Sequence, residues 1–112
     1  MADCIFCRIA AREVPATVVA EDDEVIAIED IAPQAPVHVL VIPRRHVADI
    51  RQVGEDGLLQ RVVATANRVA EQRGVADAGY RLVVNVGADG GQEVPHLHVH
   101  VLGGRRLAWP PG

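Results

Sequence analysis

The sequence His96-Leu97-His98-Val99-His100-Val101-Leu102 alternates imidazoles with apolar side chains. Successive residues of a β-strand point to opposite faces, so the pattern predicts a strand with its histidines on one face and its apolar residues in a core. A solvent-facing strand has no reason to use histidine three times in a chain that holds five. Because histidine titrates near neutral pH, this face is predicted to supply a proton carrier, a nucleophile or a metal ligand.

Length and composition narrow the classes of function. The 112 residues are predicted to form a single domain, 1–112, that buries a core without disulfides. A net charge of −4 with scattered cations argues against a nucleic-acid polymer as partner. No apolar run reaches the roughly 20 residues of a membrane span, and the N-terminus lacks a signal-sequence pattern. We therefore expect a cytoplasmic protein with no membrane partner and with reduced cysteines.

Four further strands are predicted beside the histidine strand. Alternating or continuous apolar residues, bounded by turn-forming residues, place them at residues 17–21, 25–30, 37–42 and 80–86. The last two are apolar on both faces and are predicted to be inner strands. Gly103 and Gly104 are predicted to end the histidine strand.

Two helices complete the predicted set of elements. Apolar residues recur every three or four positions over residues 56–73, with Asp56 as a predicted N-cap and Gly74 just beyond the C-terminus. A short helix is predicted over residues 4–10. Together these elements predict an α+β domain on a five-stranded antiparallel sheet, with one long and one short helix.

The histidine sequence resembles the motif of the histidine-triad (HIT) family, and the similarity extends from the first helix to the last residue. The other segments that resemble the family, and its Hint branch in particular, are Asp30-Ile31, Pro33-Gln34-Ala35-Pro36, His38, Val41-Ile42-Pro43, His46, Val83-Val84-Asn85, Asp89-Gly90-Gly91-Gln92, Gly103-Gly104-Arg105 and Trp109-Pro110-Pro111-Gly112. The resemblance implies a HIT-like fold and a homodimer whose two sheets join into one of ten strands. It also implies hydrolysis of purine nucleoside 5′-monophosphoramidates, with aminoacyl-adenylate-like substrates as a variant.

The resemblance also implies a catalytic set, namely His38, His96, His98 and His100. In the family pattern His98 attacks phosphorus and becomes nucleotidylated, while the backbone carbonyl of His96 holds its other ring nitrogen. His100 faces the phosphate, and His38 forms a hydrogen bond with His100. Cleavage of a P–N bond needs a nucleophile, a proton for the amine and donors around the phosphoryl oxygens, and imidazoles suit these roles at neutral pH.

The nucleotide-binding residues are likewise implied by the resemblance. Asp30 would bind the ribose, and Trp109 would approach the active site of the partner subunit. The base would contact Phe6, Ile9, Ile28 and Ile31, and the phosphate would contact Asn85, Gly91, Gln92 and backbone N–H groups at Glu93 and Val94. Glu93 departs from the hydroxyl residue frequent in the Hint branch. Because a carboxylate repels a phosphate, we expect Glu93 to turn outward.

The cysteines predict a metal site. A Cys-x-x-Cys pair in a reduced compartment is more often a metal clasp than a disulfide, and tetrahedral zinc needs two further ligands. His46 and His96 are the histidines with no ring function in the mechanism above, and bacterial HIT proteins with this cysteine pair resemble it in binding zinc at these four positions. The predicted zinc ligands are therefore Cys4, Cys7, His46 and His96. The alternative is a pair of small cysteines packed beside Phe6.

Three other functions remain open at the level of sequence. The triad itself could hold a catalytic zinc ion, although no acidic general base accompanies it. The protein could be a nucleotide-binding regulator or scaffold with vestigial catalysis. Dinucleoside polyphosphate hydrolysis, the activity of another HIT branch, is disfavoured by the tail at residues 109–112. No cofactor is expected to be required for catalysis, and zinc would be structural.

Overall fold

A computed structural model describes residues 3–112, which form two α-helices, a 3-10 helix and one five-stranded antiparallel sheet. The elements in chain order are α1 (Ile5–Ala10), β1 (Val18–Glu21), β2 (Val25–Glu29), β3 (Val37–Pro43), the 3-10 helix (Ile50–Gln52), α2 (Leu58–Gln72), β4 (Tyr80–Val83) and β5 (Val99–Gly103). The strand order in the sheet is β1-β2-β3-β5-β4. The predicted α+β class and five-stranded sheet are confirmed, whereas the 3-10 helix was not expected.

Alternation along the central strands gives the sheet two different faces. One face packs against α2, and its buried strand residues are Val25, Ala27, Val39, Val41, Val99 and Val101. The opposite face packs against Phe6 of α1, and its buried strand residues are Ile26, Ile28, Leu40 and Ile42. His98 and His100 alternate with Val99 and Val101, so the two histidines lie on the α1 face.

The histidine strand is shorter at its start than predicted. Its first ladder pair is Val41 with Val99, so His96 and His98 precede β5. The reason lies in the preceding backbone: the N–H of His96 donates to Val94 (2.8 Å) and that of Leu97 to Val47 (2.6 Å). These bonds divert the backbone from the sheet, although Leu97 remains buried at 1% exposure.

Gly103 belongs to β5 and does not break it, contrary to the prediction. A Cβ atom at Gly103 would lie 2.9 Å from Cβ of Val75, so glycine is required there by the close approach of the segment after α2. The strand ends at Gly103, and the next residue, Gly104, has a φ of +92°, which is in the region that favours glycine.

The fourth strand lies at the edge of the sheet in a single chain. It comprises only Tyr80–Val83, and all four residues are half-buried. The prediction of an inner strand over residues 80–86 is therefore wrong for one subunit. Continuous apolar character signals burial on both faces, but it does not say whether a strand has two neighbours.

The long helix begins one residue later than the predicted N-cap implies. Its N-cap is Gly57, with φ of +86°, and no side chain caps it there. Asp56 still acts at this end, because its Oδ1 accepts the N–H of Leu58 at 3.2 Å. Gly74 follows the C-cap residue Arg73 with φ of +74°, as predicted. Neither α-helix within residues 3–112 is long and apolar enough to cross a membrane.

Candidate active site

Strand register brings two histidines together. In the β3–β5 ladder His38 lies opposite Leu102 and Leu40 lies opposite His100, so the two histidines are diagonal neighbours on one face. Their facing nitrogens, Nε2 of His38 and Nδ1 of His100, are 2.9 Å apart. His38 is buried at 4% exposure.

Hydrogen bonding sets the tautomer of this pair. The backbone N–H of Gln34 donates to Nδ1 of His38 at 3.0 Å, so neutral His38 carries its proton on Nε2 and donates it to His100. His100 therefore accepts at Nδ1 and carries its own proton on Nε2. That Nε2 is buried and has no hydrogen-bond partner among residues 3–112. The arrangement presents an N–H donor whose natural acceptor is an oxygen of a bound ligand.

A different contact orients His98. Its Nδ1 is 2.7 Å from the backbone oxygen of His96. Because a carbonyl oxygen only accepts, Nδ1 carries the proton and Nε2 keeps its lone pair. The His98 ring packs edge-on against Phe6, with centroids 5.2 Å apart, and lies 5.1 Å from the ring of His100. His98 thus offers a nucleophile beside the His100 donor.

Burial keeps His100 neutral. Loss of hydration is the main cause that lowers the pKa of His100 from 6.5 to about 4, and the neighbouring His98 and His38 rings lower it further. Asp30 acts in the opposite direction. A neutral ring preserves the donor direction described above at physiological pH.

This shift predicts a pH dependence of stability. Between pH 6.5 and about 4 unfolded His100 binds a proton that the folded ring does not, so acidification over this window should lower the free energy of unfolding. The stability that depends on a neutral His100 is fully present above pH 6.5 and is lost as the pH falls through the pKa of the folded protein. Urea unfolding at several pH values should show a steeper acid-side decline for the wild type than for His100→Gln. If the free energy of unfolding falls equally with pH in the two proteins, the lowered pKa of His100 is contradicted.

The three rings border a cavity of about 500 Å³ on the α1 face. Its lining residues are Phe6, Asp30, Ala32, Gln34, His38, Leu40, Asn85, Gly91, Glu93, Val94, His98 and His100. The predicted residues that the structure brings together here are Phe6, Asp30, His38, Asn85, Gly91, Glu93, Val94, His98 and His100.

Other predicted contact residues do not line this cavity in a single chain. Ile31 is fully exposed and Trp109 is 80% exposed. Ile28 is buried in the core beneath α1, and Ile9 packs against that core. A residue next to a site residue in the sequence can have its side chain directed away from the site. The motif alone does not show in which direction that side chain lies.

Gln92 supports the loop next to the cavity and does not line it. Its Oε1 accepts the N–H of Gly87 at 3.0 Å, while its Nε2 donates to the carbonyls of Ala48 (2.8 Å) and Val94 (3.0 Å). With the whole amide engaged, Gln92 holds the glycine loop in place, which differs from the predicted phosphate contact.

Three lining residues were missed from the sequence, namely Ala32, Gln34 and Leu40. Leu40 could have been found, because it lies two residues after His38 on the same strand and therefore on the same face. Gln34 was part of the resembling segment, but its function lies in a backbone N–H, for which its side chain carries no signal.

Asp30 lies beside the pair formed by His38 and His100, and it lines the cavity. Its Oδ1 accepts the N–H of Ala32 at 2.8 Å, and its Oδ2 lies 3.4 Å from Nε2 of His38. The side chain retains 18% exposure. Its carboxylate can therefore accept hydrogen bonds from hydroxyl groups in the cavity. It also lies close to His38.

Glu93 is exposed, as expected, yet it lines the cavity as well as a neighbouring groove. The groove has a volume of about 490 Å³ and also contacts Cys4, His46 and Val94. The side chain therefore lies at the border between the histidine cavity and the cysteine region.

The two cysteines and two remaining histidines form a second cluster. Nδ1 of His96 lies 3.2 Å from Sγ of Cys4 and 3.5 Å from Sγ of Cys7, and Nδ1 of His46 lies 3.3 Å from Sγ of Cys7. All four donor atoms lie within 4.8 Å of one another. The His96 ring faces this cluster and does not line the histidine cavity, so the four residues predicted as zinc ligands lie together, and His96 contacts His98 through its backbone carbonyl.

The environment of His96 prepares its ring as a ligand. Nε2 donates to the backbone oxygen of Pro43 at 2.7 Å, which leaves the Nδ1 lone pair toward the sulfurs. Burial is the main cause that lowers the pKa of His96, and burial also raises the pKa of the Cys7 thiol. Both cysteines are free thiols. The donor set of two sulfurs and two imidazoles is typical of zinc.

The fold, the histidine geometry and a family comparison lead to one assignment. The family description "HIT domain" matches residues 11–107, which is most of the chain. The chain belongs to the HIT family. This HIT protein is 50% identical over 112 residues to an uncharacterized HIT-like protein of Synechococcus elongatus, with 98% of this chain and 97% of that one covered.

Solved structures agree with this assignment. A HIT family hydrolase from Legionella pneumophila is 51% identical to this HIT protein, with a TM-score of 0.95, and the match covers 98% of this chain and 100% of that chain. A hypothetical histidine triad nucleotide-binding protein from Sulfolobus tokodaii is 34% identical, with a TM-score of 0.79, and the match covers 89% of this chain and 68% of that chain.

Proposed function

We propose that this HIT protein hydrolyses the P–N bond of purine nucleoside 5′-monophosphoramidates through a nucleotidyl-histidine intermediate. The observation that carries the proposal is the pair of opposite tautomers, with a lone pair on Nε2 of His98 and an N–H on Nε2 of His100 in one cavity. A nucleophile and a donor for a phosphoryl oxygen are the two groups that phosphoryl transfer needs first. The related hydrolase and nucleotide-binding protein support the same class of ligand.

In the first step Nε2 of His98 bonds to phosphorus and the P–N bond breaks, with its electron pair on the departing amine. The amine takes its proton from a water molecule, which becomes hydroxide. In the second step the hydroxide oxygen bonds to phosphorus and the P–Nε2 bond breaks with its electron pair on Nε2, which regenerates neutral His98. The net reaction consumes one water and yields a nucleoside monophosphate and an amine. Throughout, the His96 carbonyl accepts the Nδ1–H and stabilises the positive charge on the substituted ring.

His100 acts as a hydrogen-bond donor to the phosphoryl oxygen, not as the acid that protonates the amine. If His100 gave up its Nε2 proton and took another from His38, His38 would be left without a ring proton, because its Nδ1 accepts from Gln34. An imidazolate is too basic to form at neutral pH. His38 and His100 therefore keep their ring protons, and the N–H of His100 stabilises the negative charge that develops on the phosphoryl oxygen.

Asp30 is proposed to bind the ribose hydroxyls, and Phe6 to contact the base. Both line the cavity, and the Asp30 carboxylate can accept hydrogen bonds from a diol. Asn85 and Gly91 border the region where the phosphate would lie.

The assay that tests the proposal compares two substrates at equal concentration. Adenosine 5′-phosphoramidate with a fluorogenic amine should be hydrolysed fastest, and a diadenosine polyphosphate should be hydrolysed slowly. A reversed order would identify the protein with another HIT branch. Tight AMP binding with no turnover of either substrate would indicate a regulatory or scaffold protein.

The cysteine cluster is proposed to hold a structural zinc ion. A tetrahedral ion with bonds of about 2.0 to 2.3 Å places its ligand atoms roughly 3.3 to 3.8 Å apart, and the sulfur–nitrogen distances here are 3.2 to 3.5 Å. Cys4, Cys7, His46 and His96 would hold the ion. A closed set of four protein ligands contributes stability and leaves no position for substrate.

Zinc binding predicts a stability effect of Cys4→Ser. The substitution removes one thiolate ligand, so the thermal midpoint should fall while Arg8→Ser, at an exposed position of the same helix, should leave it unchanged. Elemental analysis of tag-free protein, purified without chelators, should give about one zinc per chain. Less than about a tenth of an equivalent after zinc is supplied would rule out the site.

The edge strand β4 is proposed to pair with its copy in a homodimer, which would make a ten-stranded sheet. Its four half-buried residues present an unpaired strand edge in one chain, and natural proteins seldom leave such an edge uncovered. We expect sedimentation velocity to show a dimer at micromolar concentration. Trp109→Ala, which removes an 80% exposed ring, should keep the dimer and alter turnover only for bulky amines. A stable monomer would contradict the proposal.

A further inference from the structure

His96 belongs to both sites of the molecule at once. Its imidazole lies in the cysteine cluster, and its backbone oxygen holds Nδ1 of His98 at 2.7 Å. The residue is completely buried. A single amino acid therefore joins the cluster to the proposed nucleophile, with no intermediate contact required.

The His96 ring has two nitrogens, and each has a defined partner. Nε2 donates to the oxygen of Pro43, and Nδ1 faces the sulfurs of Cys4 and Cys7. A metal–ligand bond at Nδ1 would fix the ring at both ends, whereas a thiol contact is a weak hydrogen bond. Because ring and carbonyl share one Cα, a bond that holds the ring in place also restricts movement of the backbone that carries the carbonyl facing His98.

Phe6 provides a second link between the same two places. It lies on α1 between Cys4 and Cys7, and its ring packs edge-on against both His96 and His98, at centroid distances of 5.7 and 5.2 Å. A displacement of the cysteine helix would therefore also move the side chain against which the nucleophile packs.

We propose that His96 is a positioning residue for the nucleophile: a metal ion held by Cys4, Cys7, His46 and His96 fixes the His96 carbonyl and so holds His98 in the Nδ1–H form. This goes beyond a stabilising metal, because it assigns the cluster an effect on the reaction. Its catalytic consequence rests on the proposed function, whereas the effect on the His98 tautomer does not.

The physical consequence is a change in the chemical step. Neutral imidazole with its proton on Nε2 has no lone pair to attack phosphorus. If the carbonyl no longer faces Nδ1, the two tautomers mix and a smaller share of molecules can react. The nucleotide contacts at Asp30 and Asn85 lie outside the cluster, so affinity for a nucleotide should change much less than kcat, even where Phe6 shifts with α1.

The experiment compares the zinc-loaded protein, the same protein after chelation, and the double variant Cys4→Ser/Cys7→Ser. Ring ¹⁵N NMR reports the tautomer of His98, kcat reports the chemical step, and titration with AMP reports binding. We expect Nδ1 to be protonated in nearly all molecules of the loaded wild type and in a minority of molecules of both metal-free forms, a kcat about tenfold lower in both metal-free forms, and a Kd for AMP within about twofold. Zinc should restore the wild type and leave the double variant unchanged.

Identical His98 resonances in the loaded and metal-free proteins, with equal kcat, would overturn the inference, as would failure of the wild type to bind zinc. Circular dichroism checks that each sample is folded, and the double variant supplies a second metal-free form. Arg8→Ser is the matched control on the same helix and should behave as the wild type. A zinc-dependent tautomer without turnover of any phosphoramidate would refute the proposed function and leave this inference intact.

Discussion

His98→Ala is expected to lower kcat for phosphoramidate hydrolysis by about 10⁴-fold or more, because it removes the atom that bonds to phosphorus. The alternation of the histidine strand leaves Val99 and Leu97 buried on the other face, so loss of the ring should not disturb the main core. The Kd for AMP should remain within about threefold, since Asp30 and Asn85 are unchanged.

Rapid quenching should reveal the intermediate directly. Wild-type protein mixed with substrate should carry a nucleotidyl group on a peptide containing His98, and the variant should carry none. His100→Ala is the informative comparison, because it removes the phosphoryl donor and keeps the nucleophile. It should slow the formation of the adduct without abolishing it. A decrease of only a few fold in His98→Ala would show that another group attacks phosphorus.

Gly90→Ala is expected to destabilise the protein by about 1 to 3 kcal/mol. A Cβ at Gly90 would lie 2.4 Å from the backbone oxygen of Val86 and 2.8 Å from its nitrogen. Backbone atoms cannot turn aside as a flexible side chain can, so the loop must shift. Urea unfolding of wild type and variant measures the difference.

Gly54→Ala is the matched control, because a Cβ there would meet no atom within 4 Å. It should leave the free energy of unfolding unchanged or raise it by about 0.4 to 1 kcal/mol through the unfolded state. The loop of Gly90 also carries Gly91, which lines the cavity, so Gly90→Ala should weaken AMP binding as well. Equal stability of the two alanine variants would contradict the steric argument.

Local periodicity was informative where it reflects local geometry. The alternation from Leu97 to Val101 correctly predicts that Leu97, Val99 and Val101 lie in the core, and the recurrence over α2 correctly predicts a long helix that ends before Gly74. It was less informative at boundaries. The start of β5 depends on a backbone hydrogen bond from Leu97 to Val47, which joins distant segments, and the N-cap of α2 depends on the positive φ of Gly57.

For the candidate site too, the sequence predicts some features correctly and not others. The histidines were visible in the sequence, but His96 was assigned to the same face as His98 because residues two apart on a strand share a face. The structure turns its ring toward Cys4 and Cys7 because the chain has not yet entered the sheet at that point. The alternation does not show this turn, although the predicted ligand set of Cys4, Cys7, His46 and His96 puts the His96 ring beside the cysteines, and the four donor atoms do lie within 4.8 Å of one another.

By itself, the sequence determined the class of fold, the elements, and the residue types available for chemistry, because these follow from side-chain polarity and spacing along one strand or helix. Only the tertiary structure decided the proton positions. The contact between His38 and His100 joins residues 62 apart in the chain, and it depends on the register of two strands. The N–H of Gln34 and the carbonyl of His96 then select opposite tautomers for His38 and His98, since backbone groups have fixed donor and acceptor roles that no side-chain pattern records.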